Sequence, residues 1–158
     1  EFRRVLFRSQ WDSDSSSWNQ LGSDIDGEAG GDFSGYNVSL SSDGSIVASA
    51  SHQNDGDSGV NRRHVRIYQW DSDSSSWNQL GSDIDGDAGG DFSGYNVSLS
   101  NGGGMVGGGR HKNDGGSALN RGHVRIYKWD SDSSSWNQRR SDIDGQAPGA
   151  SNGYSDST

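Results

Sequence analysis

The sequence predicts an all-β protein built from tandem repeats, and three observations support this prediction. The chain of 158 residues is only 27% hydrophobic and holds 25 glycines, which is too little apolar material for long helices around one large core. It nevertheless contains six tryptophans, five tyrosines and four phenylalanines, more than a disordered tail would carry. The segment WDSDSSSWNQ occurs three times, beginning at Trp11, Trp70 and Trp129, so the period is 59 residues.

One period contains four segments with the character of strands. Residues 36–41 alternate apolar and polar side chains, as a strand with two different faces does. The second segment, Ile46–Ser51, has small and β-branched residues, and a polar loop at 53–63 follows it. Residues 65–70 and 77–84 supply the third and fourth segments, which a hairpin connection joins. The period therefore predicts a four-stranded antiparallel sheet.

The repeats are expected to stack, because one such sheet cannot cover both of its faces. Radial stacking predicts a partial β-propeller of about two and a half blades, since propellers consist of four-stranded blades around an axis. Residues 10–145 carry the repeats. Residues 146–158 are expected to be the degenerate start of a further blade or a disordered tail. A β-solenoid and other kinds of propeller are the alternatives.

The first nine residues, EFRRVLFRS, differ from everything that follows them. They are basic and apolar and contain neither Gly nor Asp. They resemble the in-frame translation of a common sequencing adapter, and we expect them to be an artefact of sequence assembly. A short basic N-terminal strand is the alternative interpretation.

Charge and composition exclude several classes of function. With 13 basic and 22 acidic residues the net charge is −9, and an acidic surface repels phosphate backbones, so nucleic acid is not an expected partner. No apolar run approaches the length that spans a bilayer, so no membrane span is expected in this chain. The absence of cysteine excludes disulfides and thiolate metal sites.

The residues SGYNVSLSSDGSIVASASHQNDGDSGVNRRHVRIYQW, at 34–70, resemble the FG-GAP repeat of integrin-α-like β-propellers. The third strand of that repeat is matched by GHVRIY at 122–127, whereas Arg63 replaces the glycine in the preceding copy. The resemblance covers nearly all of residues 10–145. It implies a secreted or cell-surface protein of adhesion or scaffold type, with calcium in some blades. WD repeats are a poorer match, because their period is only about 40–45 residues.

Two acidic segments are the candidates for calcium. Carboxylates two residues apart in a loop supply several oxygen ligands, which calcium prefers. Gly27 and Gly86, however, stand at the fourth position of these segments, where calcium loops have glycine at the sixth, and a solvated acidic turn is the alternative. The candidate ligands are Asp24, Asp26, Glu28 and Asp32 in one copy, and Asp83, Asp85, Asp87 and Asp91 in the next.

Two histidine pairs flank the long polar loops, and each pair is a possible beginning of a transition-metal site. Hydrogen bonding at strand ends is the alternative, since two ligands rarely make a site. The pairs are His52 with His64, and His111 with His123. A second acidic cluster, Asp71-Ser72-Asp73-Ser74, recurs in every copy and is expected to satisfy the backbone of its own turn rather than to hold a metal.

Asparagine and tryptophan residues give two further candidate sites. Asn37 and Asn96 fit the N-glycosylation pattern, but both lie inside predicted strands and are interpreted as strand residues. The tryptophans keep the same places in each copy, so packing between repeats is favoured over ligand stacking. They are Trp11, Trp18, Trp70, Trp77, Trp129 and Trp136.

The sequence holds no nucleophile–base pattern, no G-x-S-x-G and no phosphate-binding glycine motif, and we do not expect the chain to be an enzyme. We expect a binding or adhesion scaffold, extracellular or at the cell surface, whose loops contact a protein or glycan ligand and whose other blades complete the propeller. Two alternatives are a propeller-based enzyme with its catalytic residues in other blades, and a purely structural repeat array.

Overall fold

A computed structural model describes five stretches of the chain, residues 5–27, 33–51, 64–85, 95–110 and 122–146. All regular secondary structure in these stretches is β-strand, which confirms the predicted all-β class. The described strands are β1 (Val5–Asp12), β2 (Ser17–Asp26), β3 (Asn37–Leu40), β4 (Ile46–Ser51), β5 (His64–Asp71), β6 (Ser76–Gln79), β7 (Ile84–Asp85), β8 (Asn96–Leu99), β9 (Met105–Arg110), β10 (His123–Asp130), β11 (Ser135–Gln138) and β12 (Ile143–Asp144).

The strands form three antiparallel sheets that follow one another along the chain. The first sheet pairs β1 with β2. The second sheet has the order β3-β4-β5-β6, and β7 also pairs with β5. The third sheet repeats this arrangement as β8-β9-β10-β11, with β12 paired to β10. The second and third sheets are therefore two copies of the predicted four-stranded meander.

The fourth strand of each meander is interrupted, where the sequence predicts one strand over residues 77–84. In the second sheet it consists of β6 and β7, separated by residues 80–83, which we call the bulge. Gly81 has a φ of +78° there, a conformation that glycine adopts without the steric cost that a β-carbon brings. The side-chain amide of Gln79 donates a hydrogen bond of 3.1 Å to the Gly81 carbonyl. Strand pairing with β5 is thus interrupted at the bulge and resumes at Ile84.

The N-terminal segment takes a strand position. Residues 5–9 lie in β1, which occupies in the first sheet the place of β5 in the second, and Trp11 pairs with Trp18 as Trp70 pairs with Trp77. The structure thus shows a strand at residues 5–9, while their origin in an adapter stays a prediction.

Acidic hairpins join the third and fourth strands. Asp71 and Ser76 close a loop of four residues, and Ser75 has a φ of 50°. The Asp71 carboxylate accepts hydrogen bonds from the Asp73 backbone at 3.0 Å and from the Ser74 hydroxyl at 2.6 Å. The same bonds recur at Asp12 and Asp130. The prediction that this acidic cluster serves its own turn is confirmed.

The apolar core lies between the second and third sheets. The second sheet contributes one face, on which Ala48, Ala50 and Ile67 are almost fully buried. The third sheet contributes the opposite face through Val97 and Val106. Leu80 and Ile84 from the second sheet, and Leu99, Tyr127 and Trp136 from the third, pack around them. The second and third sheets thus cover one face of each other, as expected for stacked repeats.

The first strands of these two sheets lie side by side. The Asn37 side-chain oxygen accepts a hydrogen bond of 3.2 Å from the Val97 backbone, and the Ser39 hydroxyl accepts one of 2.9 Å from the Leu99 backbone. Side chains of β3 therefore satisfy backbone donors of β8, which is at the edge of the third sheet.

Tryptophans of the fourth strands connect neighbouring sheets at the edge opposite to β3 and β8. Trp77 donates an indole hydrogen bond of 3.3 Å to the Leu21 carbonyl in the first sheet, and Trp136 donates one of 2.7 Å to the Leu80 carbonyl in the second. These bonds confirm for Trp77 and Trp136 that the tryptophans pack between repeats.

Glycine in the bulge makes room for these aromatic rings. A β-carbon added to Gly81 would lie 2.7 Å from Cζ3 of Trp129, and one added to Gly22 would lie 2.7 Å from Cζ3 of Trp70. The indole rings thus rest on bare backbone of the preceding sheet. Gly81 and Gly22, its counterpart in the first sheet, are each required both for a positive φ and for this close approach.

Gly81→Ala is expected to lower the free energy of unfolding by at least about 1–2 kcal/mol, the cost of a left-handed conformation for a residue with a β-carbon, with the clash against Trp129 added to it. Gly102→Ala is the control, because a β-carbon there meets nothing within 4 Å. Urea denaturation of both variants measures the difference. Equal losses in the two variants would contradict the role given to Gly81.

Candidate functional site

The described residues bring a histidine, an arginine and two aspartates together in each complete repeat. In the second sheet this His–Arg–Asp cluster consists of His64, Arg66, Asp83 and Asp85. Its copy in the third sheet consists of His123, Arg125, Asp142 and Asp144.

The strand register explains how the cluster assembles. His64 and Arg66 are two residues apart on β5, so their side chains leave the same face of the strand. His64 pairs directly with Asp85 on β7, and residues opposite each other in antiparallel strands also share a face. Asp83 lies at the end of the bulge, two residues before Asp85, and therefore reaches the same face next to Arg66.

An ion pair with two parallel hydrogen bonds is the centre of the cluster. Nε of Arg66 lies 2.9 Å from each Asp83 carboxylate oxygen, and its Nη2 lies 2.7 Å from Oδ2. Gln79 donates a further hydrogen bond of 2.7 Å to Asp83, and His64 Nδ1 lies 3.7 Å from Oδ2. Such bidentate contacts are among the stronger charge-assisted hydrogen bonds.

The copy in the third sheet reproduces this geometry. Nε and Nη2 of Arg125 each lie 2.7 Å from an oxygen of Asp142, and His123 Nδ1 lies 3.6 Å from Oδ2. Gln138 donates to Asp142 at 2.8 Å, as Gln79 does to Asp83. The cluster is therefore a constant part of the repeat.

Both central carboxyl groups are stabilised in their ionised form. Burial raises the pKa of Asp83, but the hydrogen bonds and positive charge of Arg66 outweigh it and hold the pKa below its ordinary value. For Asp142 the hydrogen bonds from Arg125 are the largest influence, and they lower the pKa against the opposing effect of burial. Both groups thus bind their protons less tightly in the folded chain.

The cluster contains the donor atoms of a possible metal site. One ligand atom each from His64, Asp83 and Asp85 lies within 4.8 Å of the others, and His123, Asp142 and Asp144 form the same group. One imidazole nitrogen and two carboxylates suit zinc or a related transition metal better than calcium, which prefers oxygen ligands alone. A cation would have to displace the guanidinium that holds both Asp83 oxygens. The arrangement as it stands closes the bulge onto β5.

The structure bears on the predicted calcium ligands only in part. Asp83 and Asp85 lie together, but in the company of His64 and Arg66. Asp24 accepts a hydrogen bond of 2.6 Å from Gln20, and Asp26 ends β2. The remaining candidates, Glu28, Asp32, Asp87 and Asp91, lie outside the described residues, as do His52 and His111 of the histidine pairs.

Arg66 is the member of the cluster that the sequence analysis missed. Its signal was present, because HVRIY recurs at 123–127 and places an arginine two residues after each histidine. The first sheet lacks this pattern, since Val5 and Phe7 occupy the places of His64 and Arg66. Asp24, the counterpart of Asp83, is therefore an internal comparison without an arginine partner in this position.

The other candidate sites have structural places. Asn37 and Asn96 lie in β3 and β8, as expected for strand residues, and the Asn37 side chain is engaged by the neighbouring sheet. Trp11 and Trp18 differ from the other tryptophans because no described sheet precedes theirs, and Trp18 is 67% exposed.

Comparisons with known proteins identify no relative. No family model, curated protein or solved structure matches the chain. Within the described residues, no helix is long and apolar enough to cross a membrane.

Asp83→Asn is expected to lower the free energy of unfolding by about 1–3 kcal/mol, because it leaves the partly buried Arg66 without its charged partner. Asp24→Asn, the same change in the first sheet, is the matched control and is expected to cost less than about 0.5 kcal/mol. Chemical denaturation of both variants provides the measurement. A loss at Asp24 as large as that at Asp83 would contradict the importance of the arginine pair.

Stability is expected to fall in acid as the clusters are protonated. Since the folded-state pKa of Asp83 and of Asp142 lies below the ordinary value of 3.8, their stabilisation is complete above about pH 5. It is lost as the pH falls through 3.8 towards the lower folded-state values. Thermal melting at a series of pH values from about 7 to about 2 measures this loss. The double variant Asp83→Asn/Asp142→Asn should show a shallower decline, and an unchanged decline would argue against these two groups.

Proposed function

We propose that the sheets are blades of a β-propeller and that the chain works as a non-catalytic binding scaffold. The stacking supports the propeller. Neighbouring sheets meet at one end through the first strands β3 and β8, and towards the other end through Trp77 and Trp136. Sheets that radiate from an axis make contacts at both of these places.

The observation that carries the binding role is a variable loop that precedes a nearly unchanged third strand and hairpin. Residues 64–79 and 123–138 differ at one of 16 positions, where Lys128 replaces Gln69. The loop residues 53–63 and 112–122 differ at five of 11 positions. Both loops connect the second and third strands of their repeats. The second strand and the turn before it also differ, since SSDGSIVASAS at 41–51 is replaced by SNGGGMVGGGR at 100–110. Scaffolds for recognition carry variable loops beside strands that stay the same, as the third strand and its hairpin do here.

The enzyme alternative has less support within this chain. The His–Arg–Asp cluster brings a histidine and two carboxylates together, but its central carboxylate is bound by Arg66 and Gln79. It is also identical in both complete repeats, whereas an active site requires one copy to differ. A catalytic function would therefore depend on residues in other blades.

The class of ligand follows from the resemblance to FG-GAP repeats rather than from a defined pocket. We propose a protein or glycan ligand and an extracellular or cell-surface location. Calcium in the acidic segments that contain Asp24 and Asp83 belongs to the same proposal, and at Asp83 it would have to displace the Arg66 guanidinium.

Replacement of one variable loop by the sequence of the other tests the binding role. We expect the variant that carries the sequence of residues 112–122 in place of 53–63 to melt within about 2 °C of the parent, because the change leaves every strand of the second sheet as it is. Its binding to an array of glycans and purified extracellular matrix proteins should differ from that of the parent. If the parent bound no member of the array, or if the exchange left binding unchanged, the structural-array alternative would be favoured.

A further inference from the structure

The turn between β8 and β9 contains an Asn-Gly pair whose backbone is bound by the neighbouring sheet. Asn101 and Gly102 are both exposed there. The Asn101 carbonyl accepts two hydrogen bonds from Ser42 of the second sheet, one of 2.8 Å from the backbone N–H and one of 3.0 Å from the hydroxyl. Both donors of one residue thus converge on a single carbonyl oxygen.

The groups of this pair that can react with each other are not engaged elsewhere. Among the residues that the structure describes, neither the Asn101 side chain nor the Gly102 nitrogen takes part in a hydrogen bond. A β-carbon built on Gly102 would meet nothing within 4 Å, so the space beside this peptide is open. The exposure is a property of the turn, because Ser42 and Asp43 hold the same positions in the second sheet and are exposed with the third sheet packed against theirs.

An asparagine that precedes glycine can lose its side-chain amide to its own backbone. The Gly102 nitrogen gives its proton to hydroxide and bonds to Cγ of Asn101, and the side-chain nitrogen takes a proton from water and leaves as ammonia. The cyclic imide then adds one water molecule and opens to aspartate or isoaspartate. Glycine favours the ring closure because its backbone reaches conformations that a β-carbon forbids.

The two Ser42 donors lie where negative charge develops in this reaction. When the Gly102 nitrogen loses its proton, amide resonance places part of the charge on the Asn101 carbonyl oxygen. Donors at 2.8 and 3.0 Å from this oxygen stabilise the charge, as donors do in an oxyanion hole. The contact between the sheets therefore makes the nitrogen easier to deprotonate.

The same turn of the second sheet lacks these features. Asp43 stands in the place of Gly102. Its carboxylate accepts hydrogen bonds from Ser41 and Ser45, which lower its pKa to about 2. The acidic side chain of this turn is thus ionised and held by its neighbours, whereas the Asn101 amide is neutral and makes no hydrogen bond to a described residue.

We propose that Asn101 is a site of spontaneous deamidation, and that Ser42 of the neighbouring sheet accelerates the reaction by binding the Asn101 carbonyl. The product carries one more negative charge at the contact between the second and third sheets. As isoaspartate it also lengthens the backbone of the turn by one carbon.

The chain supplies an internal reference for the test, because the tripeptide Ser-Asn-Gly occurs at 100–102 and again at 151–153, outside the described residues. The full chain is incubated in mildly alkaline buffer, and peptide mapping by mass spectrometry measures amide loss at Asn101 and Asn152. The ratio of the two rates should fall about three- to tenfold in Ser42→Ala, since one of two donors is removed and water replaces it in part. Ser45→Ala is the control, because its hydroxyl bonds to Asp43 in the same turn.

A further variant identifies the attacking nitrogen. Gly102→Ala should slow amide loss at Asn101 at least about fivefold, because the methyl group hinders ring closure at a position where it fits the fold. Circular dichroism checks that each variant remains folded. The inference is overturned if Asn101 keeps its amide while Asn152 loses it, if Ser42→Ala leaves the ratio unchanged, if Ser45→Ala lowers it equally, or if Gly102→Ala reacts at the parent rate. None of these outcomes depends on the proposed binding function.

Discussion

The contact of an indole ring with bare backbone is the interaction on which the rest of the structure depends. Trp129 lies over Gly81, and its neighbour Trp136 donates a hydrogen bond to the Leu80 carbonyl. The glycine must adopt a positive φ to shape the bulge and must lack a side chain to admit the ring. The Arg66–Asp83 pair fixes the same bulge from within its own sheet. The bulge is therefore held from two directions, by an ion pair inside the repeat and by aromatic packing from the next one.

This double support explains why an acidic segment with the spacing of a metal loop has a structural use. In the sequence Asp83 has the character of a free metal ligand, but in the fold it forms an ion pair with Arg66, whose side chain is only 12% exposed. Burial and ion pairing are matched there, since the guanidinium forms two parallel hydrogen bonds and Gln79 supplies another. The repeat thus uses its acidic residues first to shape its backbone.

Local signals in the sequence predict much of the fold and less of the site. The second strand was predicted at the residues where it occurs, because small and β-branched residues follow a turn signal there. The fourth strand was predicted as continuous, but the structure interrupts it at the bulge. The interruption depends on Gly81 and on the ring of Trp129, 48 positions later in the chain, and a local pattern does not show that contact. The pairing of Arg66 with Asp83 could not be read from spacing, since it requires the bulge to bring two strands into register. Contacts within a strand or turn are visible in a sequence, whereas contacts made through a backbone irregularity are not.

The contacts between sheets have a consequence for how such a protein grows. Trp77 bonds to a residue 56 positions earlier, and Asn37 and Ser39 each bond to a residue 60 positions later. The two residues of each contact between sheets therefore lie about one period apart in the chain. Each repeat therefore carries both halves of a junction, one on each face. Duplication of the corresponding gene segment would create a complete new interface without any compensating mutation. A later substitution on one face would alter a single junction and leave the others intact, so that copy number and junction strength can evolve separately.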